Sequence, residues 1–353
     1  MTFKFKQHKK PIIIAGPCSV ENEAQVFQTT KQLKTIGKID LLRAGIWKPR
    51  TRPGNFEGIG KKGLKWLVDA GKEFGIPVTT EVANAKHVEL ALKSGINVLW
   101  IGARTTVNPF SVQEIADALK GNNVSVMIKN PITPDLQLWV GAVERVLETG
   151  ITDVALIHRG FSSFEKSKYR NDPKWGIPIE MMRLFSNLPI ICDPSHIGGQ
   201  RDLIQSISQK ALDMNMDGLM IETHIDPDNA LSDANQQITP KTLTEILNIL
   251  VVREQTPSNP EFISILENLR AQIDDIDYQL LDVLAKRFDI IHQIGQNKKE
   301  NNITILQSDR WFEILKSRKK IAKELELSDE FVGDLLKLIH KESVRLQTKI
   351  LNN

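Results

Sequence analysis

The sequence predicts an α/β protein, a (β/α)8 TIM barrel followed by an all-α helical domain, and three observations carry that expectation. Up to about residue 252, eight short β-branched runs alternate with stretches of helical character, the grammar of parallel strands joined by crossover helices. Eight such units in about 250 residues match the size and count of a closed barrel, whereas the rival doubly wound sheet would want a G-x-G-x-x-G after its first strand and none is there. Past the stretch 253–262 nothing reads as a strand, and apolar residues recur at three- and four-residue spacing for about ten turns.

The eight runs are "PIIIAG" (11–16), "DLLRAG" (40–45), "IPVTTE" (76–81), "NVLWIG" (97–102), "VSVMIK" (124–129), "DVALIH" (153–158), "LPIICD" (188–193) and "DGLMIE" (217–222). Each gives way to polar, Gly or Pro residues and then to a helical segment such as "GLKWLVDAGKEFG". "REQTPSNPEF" sets two prolines among polar residues and reads as a linker, so the expected domains are 1–252 and 261–353, joined by 253–260. Two further helices are expected near 308–325 and 328–350, the last starting at Ser328-Asp329-Glu330. A helix as long as the first of the tail, with an apolar stripe along it, has little to cover it within about 90 residues; pairing with a second copy is the natural remedy.

Composition narrows the class. At 353 residues two domains are the usual expectation, and 41% apolar with 25% charged residues is ordinary for a soluble globular protein. A net charge of +3, from 46 basic and 43 acidic residues, gives no reason to invoke nucleic acid or an anionic membrane. Two cysteines cannot build a disulfide framework, which favours a reducing cytoplasm. The basic N-terminus has too short an apolar run for a signal peptide, and no stretch approaches the roughly 20 apolar residues of a membrane span.

In a barrel of this kind the chemistry sits where the strands end. There the sequence delivers two classes of side chain. The first is Cys18, His196, Glu222 and Asp233, a mixed sulfur, nitrogen and oxygen set suited to a divalent transition ion rather than calcium or magnesium. A lone buried cysteine is ordinarily core filler, and a nucleophilic thiol is a further alternative; Cys192, inside its strand run, reads as filler. The second class is Arg43, Lys48, Arg50, Arg104, Lys129 and Arg159. Crowded cations are costly unless an anion neutralises them, so a small molecule bearing several negative charges is expected, two phosphates for instance.

The segments "AGPCSVE", "RAGIWKPRTRPGNFEG", "IGAR", "LPIICDPSHIGGQRDL" and "MDGLMIETHIDPDNALSDANQQI" resemble 3-deoxy-D-arabino-heptulosonate 7-phosphate (DAHP) synthase of the type I-beta group, in order across residues 10–250. The resemblance implies a barrel that condenses phosphoenolpyruvate with erythrose 4-phosphate at the head of the shikimate pathway. It implies Cys18, His196, Glu222 and Asp233 as ligands of a divalent metal ion, manganese ahead of iron, cobalt or zinc. Phosphoenolpyruvate would meet Arg104, Lys129 and Arg159 with Arg43 and Lys48 alongside; erythrose phosphate would meet Arg50 and Thr51; Lys48 would deliver a proton to the nascent alkoxide. Arg52, Thr105 and His158 depart from the family's common Ser, Asn and Glu. A related synthase that uses arabinose 5-phosphate is the alternative, and "KPRT" argues against it.

In the tail, Arg287 and Lys298 stand eleven residues apart on nearly one helical face, while Arg270, seventeen before Arg287, points elsewhere and is free to serve a partner chain. "LRAQIDDIDYQLLDVLAKRFDIIHQIGQNK…DR…ESVRLQ" resembles the all-helical chorismate mutase family over 261–350. That implies a cofactor-free Claisen rearrangement of chorismate to prephenate in an intertwined homodimer, with Arg270, Arg287, Lys298, Arg310, Ser343 and Gln347 around the substrate. Gln307 and Trp311 stand where acids are common. A tail that mainly senses prephenate or chorismate and regulates the barrel is the alternative from another class.

Overall fold

The computed structural model closes eight parallel strands into a barrel in chain order: β1 (Ile12–Gly16), β2 (Leu41–Arg43), β3 (Val78–Val82), β4 (Val98–Ile101), β5 (Ser125–Lys129), β6 (Val154–His158), β7 (Ile190–Cys192) and β8 (Gly218–Glu222). Each lies inside its expected run or within one residue of it. The structure describes residues 3–5, 11–48, 54–164, 167–254 and 259–352. The helices of the barrel are α1 (Glu23–Ile36), α2 (Lys61–Phe74), α3 (Ala85–Lys93), α4 (Ala103–Thr106), α5 (Pro109–Leu119), α6 (Leu136–Glu148), α7 (Gly176–Leu184), α8 (Pro194–Gly198), α9 (Ile204–Asp213) and α10 (Pro240–Ile249). Local chemistry starts many of them: the side chains of Asn22, Asn84, Asn108, Asp135, Asp193 and Thr239 each accept from an amide of the first turn.

Two apolar layers hold the barrel. Outward-facing strand residues such as Leu42, Leu99, Ile128, Leu156 and Cys192 pack against the helices; inward-facing Ile12, Ile14, Leu41, Val98, Trp100, Met127, Ala155, Ile157, Ile191 and Met220 fill the lumen. Phe3 and Phe5, from the basic N-terminus, join the inner layer: the Phe5 amide donates to Asp153 at 3.1 Å and Ser125 Oγ to the Phe3 carbonyl at 2.7 Å.

The inward alternation positions the site. Side chains two apart share a face, so Leu41 leads to Arg43, Met127 to Lys129, Ile157 to Arg159, Ile191 to Asp193 and Met220 to Glu222. The lumen is thus apolar below and charged at the strand ends. Barrel closure pairs β1 with β8, Gly16 opposite Glu222, and so brings residue 18 beside residue 222. Gly16 is required there: its φ is +145°, and a Cβ would sit 2.1 Å from the Arg43 carbonyl oxygen.

Beyond the barrel the contacts define a second compact unit, Thr256–Asn353. It holds α11 (Pro260–Glu300), α12 (Ser308–Glu324) and α13 (Asp329–Asn352). The Phe331 amide donates to Ser328 Oγ at 3.1 Å, so the last helix starts at the expected serine. Of the expected linker, 255–258 lie outside the described residues. No described helix is long and apolar enough to cross a membrane.

His158 gives the barrel a pH dependence. It is fully buried against Trp139, Phe161 and Trp175, and burial, reinforced by Arg159, pushes its pKa from 6.5 down to about 3. The unfolded chain takes up this proton near the ordinary value while the folded chain resists it, so the neutral ring's contribution is full above that value and is lost as pH falls toward 3. Between pH 7 and 5 the wild type should lose about 2 kcal/mol more than His158→Leu, measured by urea unfolding followed by tryptophan fluorescence. Parallel pH profiles for the two proteins would contradict this.

Candidate metal and double-anion site at the barrel mouth

Cys18 stands at the end of β1, fully buried, with its amide donating to Gln237 Oε1 at 2.9 Å. Its sulfur, an oxygen of Glu222 and an oxygen of Asp233 lie within 4.8 Å of one another. Asp233 Oδ2 is 3.4 Å from the sulfur, and Asp233 itself sits at φ +48°, an unusual conformation for a non-glycine residue. His196, on α8, places Nε2 3.8 Å from Glu222 Oε1. Its Nδ1 lies 3.0 Å from Asp193 Oδ1, and a hydrogen bond donated there leaves Nε2 as the lone-pair nitrogen facing the acids.

This set fits a divalent ion. Glu222 Oε1 is completely buried and has no hydrogen-bond partner among the described residues, although Arg43 Nη2 forms a 3.0 Å ion pair with it. Burial and the Glu222 charge push the Cys18 thiol up to about 12. A thiol held so high is a poor free nucleophile; a multivalent cation is what would displace its proton. Burial acts to raise Asp233, but Lys48, His196 and Arg170 hold it below the usual carboxylate range. Glu222 is likewise lowered, by His196, Arg43 and Lys48 against its burial.

The cations take distinct places. Lys48 Nζ donates to Cys18 Sγ at 2.9 Å and to the Cys18 carbonyl at 3.3 Å. Burial acts to lower its pKa, yet Cys18, Glu222, Glu81 and Asp233 together hold it raised. Arg43 is buried and pairs through Nη2 with Glu222 at 3.0 Å, while its Nε and Nη1 have no hydrogen-bond partner among the described residues. Lys129 Nζ pairs with Asp193 Oδ2 at 2.7 Å, and Arg159 Nη1 donates to Asn171 Oδ1 at 2.8 Å. Lys48, Arg104, Lys129, Arg159, Arg170 and His196 line one polar cleft together with Asp233. Arg50 and Thr51, with Arg52, lie outside the described residues.

Several functional neighbours escaped the sequence reading. Buried Trp100 packs beside the cations, with Arg43 5.1 Å and Lys129 5.9 Å from its ring, and its Nε1 donates to Glu81 Oε2 at 3.1 Å. Asp193 joins Lys129 to His196. The inward phase of "LPIICD", two residues after Ile191, was the available signal for it.

In the helical unit, Arg287 Nη1 donates to Ser343 Oγ at 2.8 Å, and Ser343 and Gln347 are both buried on the facing side of α13. Gly295 permits that approach, since a Cβ would meet Ile350 Cδ1 at 2.8 Å. Lys298 and Gln307 border a cavity of about 440 Å³ with Ile290, Ile294 and Ile303. Lys298 Nζ donates to the Ile305 carbonyl at 2.6 Å. Arg310 is exposed and paired with Glu313 at 2.6 Å, and Trp311 stacks on His340 with 3.9 Å between centroids. Arg270 is exposed on the same helix as Arg287, seventeen residues earlier, which puts them about 25 Å apart.

A family model described as "DAHP synthetase I family" matches residues 4–256. The chain belongs to that family. A second family model, "Chorismate mutase type II", matches 269–348, so the synthase barrel carries a chorismate mutase domain at its C-terminal side. Phospho-2-dehydro-3-deoxyheptonate aldolase of Thermotoga maritima is 34% identical over 235 residues, 67% of either chain. The 2-dehydro-3-deoxyphosphooctonate aldolase of Bartonella bacilliformis is more distant, 28% identical over 275 residues, covering 71% of this chain and 92% of its own. Among solved structures, the Thermotoga maritima DAHP synthase superposes with a TM-score of 0.61 at 31% identity over 68% of this chain and 67% of that one. A truncated form of 3-deoxy-D-arabino-heptulosonate 7-phosphate synthase from the same organism gives 0.59 at 30% identity, over 67% and 84%.

Proposed function

We propose that this bifunctional shikimate-pathway enzyme joins phosphoenolpyruvate to erythrose 4-phosphate in a metal-dependent condensation, and that its tail rearranges chorismate to prephenate. The observation that carries the first half is the convergence of Cys18, Glu222 and Asp233 on one point, with His196 beside Glu222 and a cationic cleft above. Those four residues would hold the ion, which when bound supplies Lewis-acid polarisation of the sugar aldehyde. Arg104, Lys129 and Arg159 hold the phosphoenolpyruvate anion, so that its enol carbon can bond to the aldehyde carbon. As that bond forms, Lys48 stands ready to protonate the new alkoxide; water then adds at the neighbouring carbon and the carbon–oxygen bond to phosphate breaks. Holding two mutually repelling anions in register is an orientation effect worth several kcal/mol.

Chelation tests this directly. Treatment with a strong chelator should stop phosphate release from the two substrates, Mn²⁺ should restore it, and chorismate loss should be unchanged throughout. Full synthase turnover in protein shown by metal analysis to be ion-free would refute the reading. Competition between erythrose 4-phosphate and arabinose 5-phosphate separates the synthase from its octulosonate relative; preference for arabinose 5-phosphate would reverse the assignment.

The tail reading rests on Arg287 held by Ser343 beside buried Gln347, a cation and a neutral amide suited to a carboxylate and a breaking ether bond. A homodimer supplies what one chain lacks. Along α11 the exposed Leu269, Ile273, Ile276, Leu280, Val283, Ile290 and Ile294 follow spacings of four and three, with Arg287 in the same seam. A second copy would cover that seam and bring its own Arg270 near this chain's Arg287.

A further inference from the structure

In each of the two acids of the candidate ligand set, one oxygen accepts from Gln236 or Arg170 and the other faces the set, where Arg43 Nη2 also pairs with Glu222 Oε1 at 3.0 Å. Gln236, only 1% exposed, donates through Nε2 to Glu222 Oε2 at 2.6 Å, while Glu222 Oε1 is the buried atom without a hydrogen-bond partner among the described residues. The Gln236 carbonyl oxygen accepts from Arg170 Nη1 at 2.6 Å, and the same nitrogen donates to Asp233 Oδ1 at 3.3 Å. Asp233 Oδ2 is then the oxygen that faces the Cys18 sulfur. Arg170 is itself pinned to the histidine's helix, since its amide donates to the Gly198 carbonyl at 3.2 Å. One amide and one guanidinium thus span both carboxylates.

Resting on the metal reading above, we infer that Gln236 and Arg170 are positioning residues that set which oxygen of Glu222 and of Asp233 faces the ion. A carboxylate has two equivalent oxygens and a free torsion; a donor fixed on one of them selects the other for coordination. Gln236 does this with a neutral amide, which leaves the negative charge of Glu222 available to the ion. Arg170 is half-exposed, so it can fix Asp233 without belonging to the core. Gln236 acts through Glu222, and Arg170 through Asp233.

The test is titration of metal-free full-length protein with Co²⁺ alone, read by the thiolate-to-cobalt charge-transfer band, beside thermal unfolding of the metal-free proteins. Gln236→Leu should weaken Co²⁺ binding about 10- to 100-fold and alter the band. Arg170→Met should weaken it about tenfold with an unchanged metal-free melting temperature, and Arg170→Lys should recover most of the loss. Wild-type affinity and band in both Gln236→Leu and Arg170→Met overturn the inference. If Gln236→Leu does not fold, the Arg170 pair decides by the same readout: a Met variant indistinguishable from wild type overturns it, and weakening rescued by Lys supports it. A wild-type spectrum with no thiolate band, or one that Cys18→Ser leaves unchanged, overturns the metal reading instead.

Discussion

Cys18→Ala is expected to lower condensation of phosphoenolpyruvate with erythrose 4-phosphate by at least about 10³-fold while leaving chorismate turnover as it was. Lewis-acid assistance is worth several kcal/mol, and about 4 kcal/mol corresponds to that factor. In the proposed set Cys18 would contribute the one soft ligand beside two carboxylates and an imidazole, and it is buried with a thiol that only a strong cation would deprotonate. Alanine fits the same space, so the barrel should fold with its melting temperature little changed. Phosphate release and chorismate loss, assayed on one preparation, check both halves of the claim. Condensation within tenfold of wild type would remove Cys18 from the ligand set and leave it a core residue.

Arg270→Ala and Arg287→Ala should each cost the mutase about 10²- to 10³-fold when assayed alone, yet a mixture refolded together should recover about a quarter of wild-type turnover. About half of randomly paired dimers would be mixed, and in each of those one pocket would have both arginines intact and the other neither. The reasoning is geometric. The two positions are seventeen apart on α11, about 25 Å along the axis, so one chain cannot bring both to one small substrate. A mixture no more active than its components would show that the two side chains serve the same chain, or that Arg270 has no part in the pocket.

Much of this was legible in the sequence because it rests on short-range chemistry. The strand run "VSVMIK" carries both a β-branched signature and a charged terminus, so it marks the strand and its chemical end together. The start of α13 was legible because Ser328 caps its own neighbours. Less legible were contacts that depend on lateral packing. The N-terminal Phe3 and Phe5 look like residues of a basic leader until the open lower end of the lumen is seen to need filling. Arg43 sits on the same inward face as the other cations, and only its depth brings its Nη2 to Glu222. Trp100 reads as core, and is core on one side, while its indole nitrogen holds Glu81.

By itself the sequence determined the order of strands and helices, the division into a barrel-forming and a helix-only part, and which residue types stand at the strand ends, because periodicity and capping act over a few residues. The tertiary structure alone decided partnership: that residue 18 meets residue 222, that Lys129 answers to Asp193, and that Gln236 and Arg170 reach the carboxylates of Glu222 and Asp233. The reason is closure. Parallel strands joined by helices place sequence-distant ends side by side only when β8 finds β1, and the register of that last pairing is a property of the whole ring rather than of any segment in it.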